Sequence, residues 1–272
     1  MRPITWLAVG AVGVVSRMVA PALHWQNEPD TPGQLQLLML TIDTPLAQKR
    51  VQHFKGELAQ APGLEQQWST FTGVNFAKYQ TVQDMLQGQD LLRLTVQQEA
   101  NAAKMAEKDR GGGAVACALG HLALWKKASK FPGWTVILED DATLSNGWNL
   151  TTLRDGLLKT AVGQLLWLEP RSCPRLRDPG PGAALYVAGG GYGTVAYAIT
   201  AQTAGRLYRM YDFSQPVDLW MQRHGMGSCE VGFDHVYGLA LLPFRHTGEN
   251  DENSEIHNST KTGIELVHTK KP

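Results

Sequence analysis

Three consecutive carboxylates, Glu139-Asp140-Asp141, directly follow a short apolar run, Val136-Ile137-Leu138. The turn residues Phe131-Pro132-Gly133 precede the run, so the pattern predicts a strand that ends on the acids. A strand this apolar needs cover on both faces, which favours a parallel sheet in an α/β fold. Because adjacent negative charges repel one another, the acids favour a bound cation. Oxygen ligands at a strand end suit Mg²⁺ or Mn²⁺, and a solvated acidic turn is the plain alternative.

The composition is that of a packed protein with balanced charge. The chain has 272 residues, 43% of them hydrophobic and 18% charged, with 25 basic and 25 acidic residues. Its length fits one large α/β domain or two small ones. No basic stripe is present, so we expect no nucleic-acid partner. The odd number of cysteines, Cys117, Cys173 and Cys229, argues against a disulfide framework, and their spacing is not that of paired metal ligands.

The amino terminus has the pattern of a targeting segment. Arg2 precedes an apolar run from Ile4 to Val15, and Ala20-Pro21-Ala22 supplies small residues for cleavage. We therefore expect residues 1–24 to be a signal peptide or a signal anchor, with a buried first helix as the alternative. Residues 25–34 are polar and rich in Pro and Gly, which predicts a linker.

Two sequons, at Asn149 and Asn258, fit a glycoprotein of the secretory pathway. The expected location is the lumen of that pathway if the source is eukaryotic. Otherwise it is the cytoplasm, or the membrane through the amino-terminal segment.

Beyond the linker, the sequence predicts one α/β domain over residues 35–256 and a polar tail over residues 257–272. The predicted strands are Leu35–Ile42, Trp68–Val74, Val136–Leu138, Gln164–Leu168, Leu185–Val187 and Val195–Ile199, and the predicted helices are Ala47–Leu58, much of Gln80–Lys108, Ala114–Lys127, Thr200–Met210 and Asp218–Arg223. Gly111-Gly112-Gly113 is interpreted as a flexible hinge, and most of 244–259 as mobile.

Four further side chains are candidates for chemistry. Arg50 lies on the helix after the first strand, where a cation and the helix dipole could hold an anion; an exposed basic face is the alternative. His121 lies beside an apolar stripe, where a lone histidine is usually a core or boundary residue. Asp218 follows Pro216-Val217 at a helix start and could be a cap. His246 is a candidate Mn²⁺ ligand, because neutral imidazole also binds this metal.

A second motif is Cys117-Ala118-Leu119-Gly120-His121-Leu122-Ala123-Leu124-Trp125, which precedes Val136-Ile137-Leu138-Glu139-Asp140-Asp141-Ala142. Together these two blocks resemble glycosyltransferase family 25, which includes bacterial lipooligosaccharide galactosyltransferases and procollagen galactosyltransferases. The family has a Gly-Glu-Ile-Gly-Cys-x-x-Ser-His helix before a Leu-Glu-Asp-Asp-Ala strand end. Cys117, His121 and the three acids match this pattern, whereas Ala114 and Gly120 replace the family Glu and Ser. Weaker blocks follow in the family's order at Leu40–Asp43 with Arg50, Phe71–Asn75, Gly191–Thr200, Pro216–Asp218, Leu241–Pro243 and Ser254–Ile256.

The resemblance implies a GT-A-like single α/β domain with a central, mostly parallel sheet flanked by helices. It implies a metal-dependent, inverting hexosyltransferase that uses a UDP-sugar, most simply UDP-galactose, with Mn²⁺ or Mg²⁺. The acceptor would be a hydroxyl of a glycan, a lipooligosaccharide or a protein.

Roles for single residues follow from that chemistry. Asp141 would hold the metal with Glu139 and His246. Arg50, His121 and Asp140 would bind the donor. Inversion requires a carboxylate base for the acceptor hydroxyl, for which Asp218 is the candidate and Glu169 the next.

Two alternatives from other classes stay open. The departures at Ala114 and Gly120 are compatible with a non-catalytic binding module that kept the fold. A metal-dependent phosphoryl-transfer enzyme would need further acids on adjacent strands, for which Asp43, Asp218 and Asp234 are the scattered candidates.

Overall fold

A computed structural model describes residues 34–89, 92–108, 112–144, 148–159, 165–168, 193–224 and 244–246. The strands are β1 (Leu35–Thr41), β2 (Trp68–Thr72), β3 (Trp134–Glu139), β4 (Ala142–Leu144), β5 (Leu165–Trp167), β6 (Ala196–Thr200) and β7 (Phe244–His246). The helices are α1 (Pro45–Leu58), α2 (Val82–Gln87), α3 (Val96–Lys108), α4 (Gly113–Ala128), α5 (Leu150–Lys159), α6 (Ala201–Met210) and α7 (Val217–Arg223), with a 3₁₀ turn at Phe76–Lys78. The expected targeting segment, the tail, the strand at 185–187, Glu169 and Asp234 lie outside these ranges.

Five strands form the central sheet in the order β2-β1-β3-β6-β5. Strand β1 runs parallel to both β2 and β3, while β6 is antiparallel to β3 and to β5. The mostly parallel sheet predicted from the sequence is therefore confirmed, with β6 as the reversed strand. The ends of β1, β2 and β3 and the start of β6 meet at one edge, which we call the carboxyl edge.

Both faces of the sheet are covered, because side chains alternate along β1 and β3. Leu38 and Ile137 point into one apolar cluster, whose helices include α4 and α6. Leu37 and Val136 point into a second cluster, which contains residues of α1 and α5. Helices on both faces explain why these strands are continuous apolar runs, as expected for buried parallel strands.

Helix α4 packs under the carboxyl edge and is more deeply buried than its pattern indicates. The sequence predicts one apolar stripe, but residues outside that stripe, including Ala118, Gly120 and His121, are buried too. The helix contacts β1, α3, α6 and α7. Because neighbours surround it, its position is fixed by packing from several directions.

Three local expectations are corrected. The predicted Gln80–Lys108 helix is two helices, because a Thr81–Asp84 capping box starts α2 and Gly88 ends it. Gly112 is not a hinge: it is buried, and a Cβ there would lie 2.3 Å from the Phe76 ring. Residues 244–246, at the start of a stretch expected to be mostly mobile, form a strand that pairs with β4. Helix α5 was not predicted, although Leu150, Leu153 and Leu157 have helical spacing.

Gly120, which replaces the family Ser, is explained by a neighbouring side chain. A Cβ on Gly120 would lie 2.9 Å from Cδ1 of Leu40, and one on Gly73 would lie 2.7 Å from the same atom. The Leu40 side chain therefore fills the space between the two glycines. This local change of packing accounts for the departure without any loss of the fold.

A comparison of two helix glycines tests this explanation. Gly120→Ala must displace Leu40, whereas Gly56→Ala on α1 meets nothing within 4 Å. Both variants gain the same helix propensity, so Gly120→Ala should be less stable by about 1–3 kcal/mol, the usual cost of overpacking. Urea unfolding measures the difference. Equal stabilities would show that Leu40 moves aside freely.

Candidate functional site

The acids found in the sequence lie at the carboxyl edge. Glu139 is the last residue of β3, and Asp140 and Asp141 follow it; all three side chains are partly buried. Helix α1 starts four residues after β1, because the Thr44 side chain caps it by accepting the Ala47 amide hydrogen. This short connection brings Arg50, in the second turn of α1, to the same edge.

Asp140 is engaged by two side chains. Its Oδ1 lies 3.3 Å from Nη1 of Arg50, and its Oδ2 accepts a 3.2 Å hydrogen bond from the Thr41 hydroxyl. The Arg50 and Asp140 side chains are 10% and 13% exposed. Breaking an ion pair this enclosed leaves an uncompensated charge. The structure therefore joins two of the predicted donor-binding residues into one unit.

The Glu139 carboxylate contacts two residues on the side that faces the core. Its Oε1 lies 3.1 Å from Nε2 of His121 and accepts a hydrogen bond from the Thr194 hydroxyl. His121 is fully buried, and its Nδ1 lies 2.8 Å from the Tyr197 hydroxyl. Both ring nitrogens of His121 therefore have hydrogen-bond partners, and Glu139 connects the buried imidazole to the carboxyl edge.

Asp218 lies in the first turn of α7, and its carboxylate accepts hydrogen bonds from two backbone amides. Its Oδ1 accepts the Leu219 amide hydrogen at 2.8 Å, and its Oδ2 accepts that of Gly193 at 3.2 Å. The second contact ties α7 to the segment that enters β6. The carboxylate thus has a defined orientation beside the acids.

Cys117 also belongs to the site, although the sequence analysis assigned no role to this residue. Its sulfur, a His121 ring nitrogen and a Glu139 oxygen lie within 4.8 Å of one another, so these three residues could hold a metal ion. Burial raises the pKa of the Cys117 thiol well above its ordinary value, and the carboxylates of Glu139, Asp218 and Asp141 raise it further. The spacing of Cys117 and His121, one helical turn apart, was the signal in the sequence.

The chemical type of the ligand atoms determines which metal ion each group of side chains would bind. The Cys117 sulfur is a softer ligand than the oxygen atoms that Mg²⁺ and Mn²⁺ prefer. Besides the Lys78–Asp43 ion pair, the described part of the edge has one guanidinium, Arg50, and four carboxylates, those of Glu139, Asp140, Asp141 and Asp218. This excess of negative oxygen ligands fits a hard divalent cation.

His246 comes to the same edge through its backbone. Strand β7 pairs antiparallel with β4, and His246 is opposite Ala142, the residue after Asp141. The strand pairing therefore places the backbone of His246, the last of the candidate metal ligands, close to the acids.

A cavity of about 280 Å³ opens at the ends of β1 and β2. Its lining includes Phe71, Tyr79 and Gly120, together with Asp43 and Lys78. Lys78 Nζ lies 2.7 Å from Oδ2 of Asp43, and this hydrogen bond and charge lower the pKa of that carboxyl. The cavity therefore combines aromatic side chains with a neutralised polar rim.

Acids, a guanidinium and a cavity lie at the carboxyl ends of parallel strands, which is where α/β proteins commonly bind their ligands. Residues 41–168 match the model of glycosyltransferase family 25, described as an LPS biosynthesis protein family. The match confirms the resemblance to that family and supports a glycosyltransferase, with a sugar donor and a glycan acceptor as partners. It contains the three acids, Arg50 and His121, whereas Asp218 and His246 lie beyond it.

No curated protein matches the chain. Within the described part of the chain, no helix is long and apolar enough to span a membrane.

Proposed function

We propose that the protein is a metal-dependent, inverting glycosyltransferase that moves a hexose, most simply galactose, from a UDP-sugar to a hydroxyl. The acceptor would be a glycan, a lipooligosaccharide or a protein. The observation that carries this proposal is the group of acids after β3 beside the Arg50–Asp140 pair, inside the region that matches the family.

The cavity at the ends of β1 and β2 would receive the nucleoside of the donor. Phe71 and Tyr79 offer aromatic surface for a planar base, and Asn75 and Lys78 offer polar groups at the rim. A donor seated there would extend its diphosphate along the edge toward Arg50. The guanidinium would then bind phosphate oxygens while Asp140 fixes its orientation.

Asp141 would hold Mn²⁺ or Mg²⁺, with Glu139 and His246 as further candidate ligands. When bound, such a cation stabilises the negative charge that develops on the departing diphosphate. Arg50 supplies a second positive charge for the same purpose.

Asp218 would act as the base that accepts the proton of the acceptor hydroxyl. Its two amide hydrogen bonds fix the orientation of the carboxylate. It approaches the edge from the β6 side, whereas the cavity lies on the β1 and β2 side. Donor and base would therefore flank the acids from opposite directions.

The two other classes are less well supported. Asp43, two residues beyond the end of β1, is paired with Lys78, which weakens the case for a phosphoryl-transfer enzyme with acids on adjacent strands. Loss of the family Ser at Gly120, one argument for a binding module, is a packing change around Leu40.

Residues 1–24 would direct the protein to the secretory pathway or to a membrane. A fusion of these residues to a fluorescent reporter would test this part of the proposal.

Donor binding and hydrolysis test the enzyme directly. UDP with Mn²⁺ should raise the melting temperature more than either component alone, because ligands that bind only the native state stabilise it. A panel of UDP-hexoses with and without Mn²⁺ should show metal-dependent hydrolysis of one donor. A melting shift without hydrolysis would favour a binding module. No shift at all would contradict both.

A further inference from the structure

A chain of buried hydrogen bonds runs from α4 to the candidate base. The Trp125 indole nitrogen donates to the Tyr197 hydroxyl at 2.8 Å, and this hydroxyl lies 2.8 Å from Nδ1 of His121. The three side chains are fully buried. Nε2 of His121 continues to Glu139, whose Oε1 also accepts from the Thr194 hydroxyl.

With a neutral imidazole at His121, the chemistry of Trp125 fixes the direction of the hydrogen bonds from Trp125 to Glu139. An indole nitrogen can only donate, so the Tyr197 oxygen is the acceptor in the first bond. Among the described residues, the other partner of that hydroxyl is His121, so the Tyr197 hydrogen must point at Nδ1. A neutral imidazole that accepts at Nδ1 carries its proton on Nε2, and it therefore donates to Glu139.

The opposite tautomer would leave a buried group unsatisfied. A proton on Nδ1 would make the Tyr197 oxygen accept two hydrogen bonds and leave its own hydrogen with no acceptor among the described residues. A buried donor without a partner is costly. A metal ion on Nε2 would require that tautomer, so the hydrogen-bond chain favours a proton there.

Thr194 carries the chain on to Asp218. Thr194 is nearly fully buried and follows Gly193, whose amide donates to Oδ2 of Asp218. Gly193 has φ 110°, a backbone conformation that favours glycine. Glu139, by binding Thr194, therefore anchors the segment before β6, whose Gly193 amide binds Asp218.

We propose that Thr194 and Tyr197 are positioning residues for sugar transfer. They hold Glu139 as an internal acceptor, and through Gly193 they set the orientation of the base. The inference rests on the proposed function, because Asp218 is the base only if the protein transfers a sugar. The three acids then differ in role: Glu139 organises the site in addition to being a candidate metal ligand, Asp140 orients Arg50, and Asp141 is the principal metal ligand.

The proton positions can be measured without any activity. Nitrogen-15 NMR of the histidine side chains distinguishes the two imidazole tautomers, and the His121 signals are those missing from His121→Gln. We expect the proton on Nε2 in the wild-type protein. A proton on Nδ1 would overturn the proposed chain, whether or not the protein is an enzyme.

A matched pair at Thr194 tests the positioning role. Thr194→Val keeps the shape and removes the hydroxyl, whereas Thr194→Ser keeps the hydroxyl. Because the lost bond is to a charged group, kcat of the valine variant should fall about tenfold to hundredfold, with an unchanged melting shift by UDP and Mn²⁺. The Gly193 amide signal should also move in this variant. The serine variant should retain most of the turnover and the wild-type amide signal.

Equal turnover in the two Thr194 variants would overturn the role of this residue. If Thr194→Val does not fold, Tyr197→Phe replaces it, because it removes the hydrogen bond to Nδ1 and keeps the ring. Tyr197→Phe should lower kcat while donor binding persists, and wild-type kcat would contradict the proposal. Absent turnover in the wild-type protein would refute the proposed function, while the tautomer would still decide the hydrogen-bond chain.

Discussion

Asp141→Asn should lower sugar transfer at least about a hundredfold, the usual effect of losing one strong stabiliser of transition-state charge. Asn keeps the volume of Asp but removes the negative charge that a divalent cation requires. Asp140 already binds Arg50 and Thr41, and Glu139 already binds His121 and Thr194, so neither is placed to substitute fully.

Two measurements make this result interpretable. Turnover as a function of Mn²⁺ concentration should show weaker activation in Asp141→Asn, while the melting temperature without ligands stays close to that of the wild type. Asp155→Asn on the exposed face of α5 is the control, because its carboxylate lies beside Arg154 and away from the edge. Wild-type turnover in Asp141→Asn would rule out its metal role.

The sequence was sufficient for the elements that form the centre of the sheet. Continuous apolar runs predicted β1 and β3, and the helical period predicted α1 and α4, because these segments bury their side chains through local patterns. The reversed direction of β6 and the pairing of β7 with β4 could not be read in this way. Strand direction is set by how distant segments meet, and short strands carry little pattern of their own.

The residues of the site also divide into those that the sequence predicted and those that it did not. The acids and Arg50 were found because they follow strands or begin a helix. Tyr197 and Thr194 were not found, because each lies in or beside a buried strand where a hydroxyl has no distinctive spacing. Their importance depends on contacts with His121 and Glu139 across 76 and 55 residues of sequence.

Asp218→Asn should abolish most of the turnover while leaving the donor bound. An amide cannot take the acceptor proton, so transfer should fall by roughly a hundredfold or more, the range for loss of a general base. Asp218 approaches the edge from the β6 side, through its bond to the Gly193 amide, so the melting shift by UDP and Mn²⁺ should persist.

The structural cost of this substitution must be measured separately. Asp218 accepts two amide hydrogens, and the single oxygen of Asn can replace one of these bonds, so stability should fall by about 1 kcal/mol. Asp212→Asn is the matched control, since the Asp212 carboxylate also accepts a backbone amide hydrogen, that of Ser214, in the loop before α7. A similar stability loss with retained turnover in Asp212→Asn would assign the catalytic defect of Asp218→Asn to its chemistry. Retained turnover in Asp218→Asn would make Asp218 a structural anchor for Gly193, and the base would have to be sought at Glu169.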